Sequence, residues 1–288
     1  MFTFTLSYKP PFNWANMLNF FRHRAIPGVE CVTDNAYTRS IALNDRQGWL
    51  RLTPSSQPNA LQLDIELPFS QKLLEQEVVG RVRKIMDLDA PMDQIEFCLS
   101  QHDLFARLIE KHKGTRLPGC WDPFEFAVRA ILGQQISVKA ATTLAGRIVQ
   151  QYGSLLPSGA PEGITHGFPD SSVLAQASFD QIGLTRTRKA TLINLTRQVA
   201  SGALELHCNE GLDDFVQRIC REPGIGPWTA HYLAMRGLSQ PDAFPASDLG
   251  IIKMLSTGDD VLKPRQIEAM AEDWRPWRAY AAIYLWQG

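Results

Sequence analysis

The 288 residues are 44% hydrophobic and 20% charged, with a formal net charge of -1, the profile of a globular chain long enough for two or three domains with cores of their own. Such a charge argues against a protein that holds nucleic acid through bulk positive potential, and acidic and basic residues also balance over 113–288, so any phosphate binding has to be local. The start MFTFTLSYKPPF has neither the basic opening nor the apolar run of a signal peptide, and no stretch of about 18 apolar residues offers a membrane span.

The first elements read as strands: FTFTLSY, TRSIAL, WLRLTP and LQLDIEL alternate apolar and polar residues or carry β-branched ones, and N-D-R-Q-G and P-S-S-Q-P-N break them. They predict an antiparallel sheet. One helix interrupts it at NWANMLNFFRHRA, where Trp14, Met17, Leu18 and Phe21 recur at helical spacing. From about residue 70 the periodicity turns helical, beginning with SQKLLEQEVVGRVRKIMDL, and stays so almost to the end. The fold class is therefore α+β: a β-rich domain over 1–88 with an antiparallel sheet, then an all-α body over 89–288. Residues 153–172, rich in Gly, Pro and Ser, predict a long surface connection between helices. The five cysteines, Cys31, Cys98, Cys120, Cys208 and Cys220, are scattered and without metal-ligand spacing, so neither disulfides nor a metal cluster nor another cofactor is expected.

Two glycines one residue apart punctuate the body. LDDFVQRICREP reads as a helix with Phe215, Val216 and Ile219 on one face, stopped by Pro223; a second helix starts at Pro227 and runs from Trp228 to Arg236. Between them Gly224 and Gly226 are free to take positive φ, and Ile225 tucks between the helices. The free N–H groups at the second helix start, around Thr229, make a local anion site over a hairpin spanning about 212–236. A tight helix-to-helix turn without a ligand fits the same letters.

The longer string P-G-I-G-P-W-T-A resembles the helix-hairpin-helix motif of base-excision DNA glycosylases. Four more stretches extend the likeness in matching order: P-P-F-N-W-A-N-M-L-N-F-F at 10–21, R-A-I-L-G-Q-Q-I-S-V at 129–138, F-P-A-S-D-L-G-I-I-K at 244–253 and W-R-P-W-R-A-Y at 274–280. Together they are similar to the AlkA-type DNA-3-methyladenine glycosylase II family. The resemblance implies a helical body of two subdomains and a monofunctional enzyme that flips alkylated purines out of duplex DNA and hydrolyses the N-glycosidic bond, leaving an abasic site. It implies Asp248 as the catalytic carboxylate; local pattern alone reads Ser247 or Asp248 as the N-cap of LGIIKML, and both roles can coexist. Asp242 reads as a loop residue.

Where related enzymes that also nick DNA carry a nucleophilic lysine, this chain has Trp228, and an indole is no nucleophile. Lys253 lies more than a helical turn past Asp248 and reads as a surface or phosphate contact. The resemblance assigns Phe20, Trp228, Tyr232 and Trp286 to a base pocket, aromatic faces suiting a cationic alkylated purine; helical spacing alone would make each a core residue. Gln135 and Ile136 stand where the family inserts a wedge, the family having leucine at the first place. Gly133 reads as the break and Ser137 as the following cap, and a plain turn burying Ile136 is the alternative. T-R-T-R-K-A, 185–190, reads as a solvated helix end or a phosphate contact. Hairpin carbonyls can hold a monovalent cation. The expected partner is double-stranded DNA with damaged bases, met by a soluble, cytoplasmic monomer (nucleoid-associated in a bacterium). Two rivals remain: a catalytically silent helix-hairpin-helix protein on bent or damaged DNA, and the same scaffold acting on oxidised or deaminated bases.

Overall fold

The computed structural model describes residues 1–256 and 260–288. It opens with β1 (Phe2–Ser7), α1 (Trp14–Arg22), β2 (Glu30–Val32), β3 (Tyr37–Leu43), β4 (Arg46–Pro54) and β5 (Ala60–Glu66). The strands form one antiparallel sheet in the order β1-β5-β4-β3-β2. The β3–β4 hairpin turns on Asn44 and Asp45, both at positive φ (47° and 62°), the conformation that a two-residue turn between right-twisted strands requires. The edge strand β2 escapes a pattern reading because it has three residues, all half-buried.

A continuous helical run covers one face of the sheet: α2 (Gln71–Leu74), a widened turn over Glu75–Val79, and α3 (Gly80–Ile85). Its Leu74, Val78, Val82 and Ile85 recur at helical spacing and share a core with Leu50, Leu52, Leu63 and Ile65 of the sheet.

The body comprises α4 (Met92–Leu99), α5 (Asp103–His112), α6 (Pro123–Leu132), α7 (Val138–Tyr152), a ribbon of β6 (Ser154–Leu155) and β7 (His166–Gly167), then α8 (Ser171–Ala175), α9 (Arg186–Ala200), α10 (Leu212–Ile219), α11 (Pro227–Tyr232), α12 (Leu249–Leu255), α13 (Pro264–Ala271) and α14 (Arg278–Leu285). A wider turn, Leu233–Gly237, prolongs α11. Helices α6 to α11 pack on one another, while α5 and α12 pack on α14, whose eight residues are all buried, and α13 packs on α12. The result is two helical groups sharing one apolar core. No helix among the described residues is long and apolar enough to cross a membrane.

The connection at 153–172 is more than a surface link. Ile164 is buried and bridges Gly28 of the sheet region, whose carbonyl accepts the N–H groups of Thr165 (2.8 Å) and His166 (3.0 Å). Gly28, at φ +86°, leaves the room: a Cβ there would stand 2.9 Å from Thr165 Oγ1. Gly and Pro content predicted the loop, but composition carries no information about what a loop docks against.

Sheet and body are joined by exchange. Phe20, Ile26 and Val29 leave the sheet region to enter the body's core, and Trp121 enters the sheet's. Arg39 of β3 and Glu125 of α6 form a 2.7 Å ion pair with both side chains buried. Breaking such a pair strands a buried charge, at a cost of about 3–5 kcal/mol.

Candidate active site

In the hairpin, α10 ends at Ile219, earlier than the Pro223 stop that the sequence suggests, and a tight turn fills the interval with Ile225 N–H donating to the Glu222 carbonyl (3.0 Å). Ile225 is buried between the helices. Only one of the two glycines uses positive φ: Gly224 lies at +83°, whereas Gly226 is extended at φ -100°, ψ 176°. At Gly224 a Cβ would stand 1.9 Å from Thr191 Oγ1 of α9, while at Gly226 it would meet open space. Pro227 begins α11, and the first helical bond is Ala230 N–H to Gly226 O (3.0 Å), so the amides of Trp228 and Thr229 precede the helical ladder. The Thr229 side chain is buried, its hydroxyl accepting from Gln134 Nε2 (3.0 Å), which leaves its backbone N–H as the part that can meet an anion. Among the hairpin carbonyls, those of Glu222 and Gly224 already accept N–H groups of the chain. Among the described residues no side-chain cluster is arranged to hold a metal ion.

Twenty residues on, the chain returns to this hairpin. Asp248 caps α12, its Oδ1 accepting from Gly250 N–H (2.9 Å) and Ile251 N–H (3.2 Å). Two indoles complete its surroundings: Trp286 Nε1 donates to Oδ1 (2.9 Å) and Trp228 Nε1 to Oδ2 (3.1 Å). Four N–H groups thus face a carboxylate with room for about four, and three of them converge on Oδ1, leaving Oδ2 with the spare lone pair. Gly250 keeps Trp286 close, since a Cβ there would lie 3.3 Å from the indole Cδ1. The loop entering α12 is itself clamped: Asp242 accepts from Arg278 Nε (2.8 Å) and Nη2 (2.9 Å) and pairs with Arg275, so it is a structural anchor rather than a plain loop residue.

The four aromatic residues come together around this carboxylate. Trp228 and Tyr232 stack at 5.1 Å, Tyr232 meets Trp286 edge-on at 6.1 Å, and Trp286 lies nearly parallel to Phe20 of α1 at 6.4 Å. Behind them stand two arginines that sequence reasoning missed. The Arg24 guanidinium lies 3.8 Å from the Phe20 ring centroid. Buried Arg236 lies 4.6 Å from that ring and donates to the Tyr232 hydroxyl (3.1 Å). Burial alone would raise the pKa of the Tyr232 phenol, but Arg236, Arg24 and Arg129 outweigh it, and the net direction is down. The available signal was Arg236 at i+4 from Tyr232 on one helix. His231 is pushed down to about 4, chiefly by burial and then by Arg278, so it is a neutral group at ordinary pH.

The turn after α6 carries Gln135 at its tip. Gly133 is right-handed (φ -78°), and the left-handed residue is Gln135 itself at φ +56°; the break expected at the glycine falls two residues later. Gln135 and Ile136 are both exposed, and Ser137 caps α7 through Ala140 N–H (3.2 Å). In the basic cluster, Arg188 donates to the Gln134 carbonyl and Lys189 pairs with Asp180, so two of its three cations are engaged within the protein. Leu249, beside Asp248, is 78% exposed. Lys253 projects from α12 into solvent.

An antiparallel sheet leading into two helical groups, with a glycine hairpin and a capped aspartate among aromatic rings, defines a helix-hairpin-helix DNA-repair fold. The chain matches the AlkA N-terminal domain over residues 3–122 and the HhH-GPD superfamily of base excision DNA repair proteins over 128–279, and it belongs to that family. It is 34% identical to DNA-3-methyladenine glycosylase 2 of Escherichia coli over 286 residues, covering 98% of this chain and 96% of that protein. It is 35% identical over 283 residues to a Mycobacterium tuberculosis protein named "Probable bifunctional transcriptional activator/DNA repair enzyme AlkA", where 98% of this chain spans 56% of the relative's length. In fold it resembles a 3-methyladenine DNA-glycosylase from Archaeoglobus fulgidus, with a TM-score of 0.84, 22% identity, and coverage of 100% of this chain and 97% of that one.

Proposed function

We propose that the chain is a monofunctional DNA glycosylase that extrudes alkylated purines of the 3-methyladenine type from duplex DNA and hydrolyses their N-glycosidic bond, leaving an abasic site. The observation that carries the reading is the Asp248 carboxylate, fixed by two backbone amides and two indole N–H groups at the edge of an aromatic cluster. Departure of the base leaves positive charge on the sugar, and a fixed carboxylate stabilises it and orients water toward the anomeric carbon. N3- or N7-alkylation makes the purine cationic and already a good leaving group, so aromatic faces suffice to hold it. Trp228 occupies the place of a nucleophilic lysine and supports hydrolysis without strand nicking.

Duplex DNA reaches the site through the hairpin amides of Gly226, Trp228 and Thr229, which suit a phosphate without bulk positive charge, while Gln135 or Ile136 enters the gap that the extruded nucleotide leaves. The reading extends to a monomer acting in the cytoplasm, with the sheet domain ending near residue 88.

Release of free base from methylated duplex by the wild-type protein and by Asp248→Asn tests the proposal, with binding to an abasic-site analogue measured in parallel. Asparagine caps a helix about as well as aspartate, so the variant keeps its fold while losing the negative charge. Base release is expected to fall at least about 100-fold with binding retained. Binding without release by either protein would favour the silent DNA binder and overturn the assignment.

A further inference from the structure

The exposed turn at 133–137 is braced in a way that its sequence does not announce. The half-buried Gln134 spends both hydrogens of its amide on the hairpin, donating to the Gly224 carbonyl (3.0 Å) and to Thr229 Oγ1 (3.0 Å). Its main-chain carbonyl accepts from Arg188, in the first turn of α9. The third side of the figure is closed by α9 against the hairpin: Gly224 abuts Thr191, and Asn194 Nδ2 donates to Glu222 Oε2 (2.7 Å). Turn, hairpin and α9 form a triangle in which each member is tied to the other two.

Left-handed backbone costs a residue other than glycine about 1–2 kcal/mol, so Gln135 at φ +56° needs its neighbours held. Gln134 on one side, tied to the hairpin and α9, and Ser137 on the other, capping α7, hold them. We propose that Gln134 and Arg188 are positioning residues that preset the exposed tip of this turn and lock it to the hairpin, so that gripping a phosphate and entering the base stack are one event. The inference rests on the glycosylase reading above and deepens it. A phosphate seated on the Gly226–Thr229 amides lies at a fixed distance from Gln135 and Ile136, and the binding free energy gained at the hairpin is then available to drive extrusion. A loose turn would let DNA bind at the hairpin with its stack undisturbed.

Extrusion is where such bracing matters, and its cost can be removed from the substrate: a nucleotide that is already unpaired needs little energy to leave the helix. Single-turnover release is measured from a duplex carrying one 7-methylguanine, either paired with cytosine or placed in a one-nucleotide bulge, using the full-length wild type, Gln134→Ala and Arg188→Ala. The expected result for both variants is a loss of about tenfold or more on the paired substrate and less than about threefold on the bulged one. Equal losses on the two substrates would mean general damage to the site and would overturn the proposal, as would wild-type rates on the paired one. Arg188→Ala keeps the test open if Gln134→Ala does not fold. Wild-type protein that releases base from neither substrate would instead refute the glycosylase reading.

Discussion

Trp286 serves Asp248 in two ways, as an N–H donor to Oδ1 and as an aromatic surface parallel to Phe20. Trp286→Phe separates them, because the ring stays and the donor goes. Oδ1 then keeps its two backbone donors and the carboxylate loses the bond that fixes its tilt, so kcat for base release is expected to drop about tenfold with KM nearly unchanged; an unaltered kcat would show that the backbone amides suffice. Asp248, Trp228, Tyr232 and Trp286 were singled out through the family resemblance, since local pattern alone makes the aspartate a helix cap and each aromatic residue a core residue. The indole–carboxylate bonds were not, since Trp286 and Asp248 are 38 residues apart and nothing local to either predicts the other. Arg24 and Arg236 were missed for a related reason: an arginine in or just after a helix ordinarily faces water, and only the packed structure shows both guanidinium groups against the Phe20 ring.

At the scale of an element, the two hairpin glycines look alike in sequence and differ in space. Gly224→Ala puts a methyl group into Thr191 at positive φ and is expected to destabilise the fold by about 1–3 kcal/mol, seen as a lowered thermal midpoint. Gly226→Ala adopts its extended backbone freely and projects into open space, so its midpoint is expected to hold while affinity for duplex DNA falls; a Gly226→Ala protein binding as tightly as wild type would remove the hairpin amides from the interface. Long strands and helices were legible because alternation and helical period persist over many residues. The three-residue β2, the widened turns after α2 and α11, and the docking of 153–172 onto Gly28 were not. The docking depends on a contact between segments far apart in the chain, while β2 and the widened turns are three and five residues long, too short for a period to register.

Over the whole molecule, the join between sheet domain and body carries a titratable group. Asp87 accepts from Tyr280 Oη (2.9 Å) and Leu117 N–H (3.1 Å), and burial pushes its pKa up to about 7. From about pH 4, where an unfolded aspartate loses its proton, to pH 7 the native state keeps a proton that the unfolded chain gives up. This contribution to stability is complete below pH 4 and is lost as pH rises to 7, at about 1.4 kcal/mol per pH unit. His231, with its pKa lowered, acts with the opposite sign between about 4 and 6.5, so the quantity to measure is the difference in urea stability between wild type and Asp87→Asn. The variant is expected to gain on wild type steadily from pH 4 to pH 7 and to keep its lead at pH 8; a pH-independent difference would contradict the buried proton. The same join delivers Phe20 from α1 into the body's core, against Trp286. The sheet domain is therefore no detachable accessory. A chimera given another β-domain, or a helical body expressed without one, would lack one ring of its own aromatic cluster unless the graft brought an aromatic ring to the same register of its first helix, so the two units can be exchanged only as a matched pair.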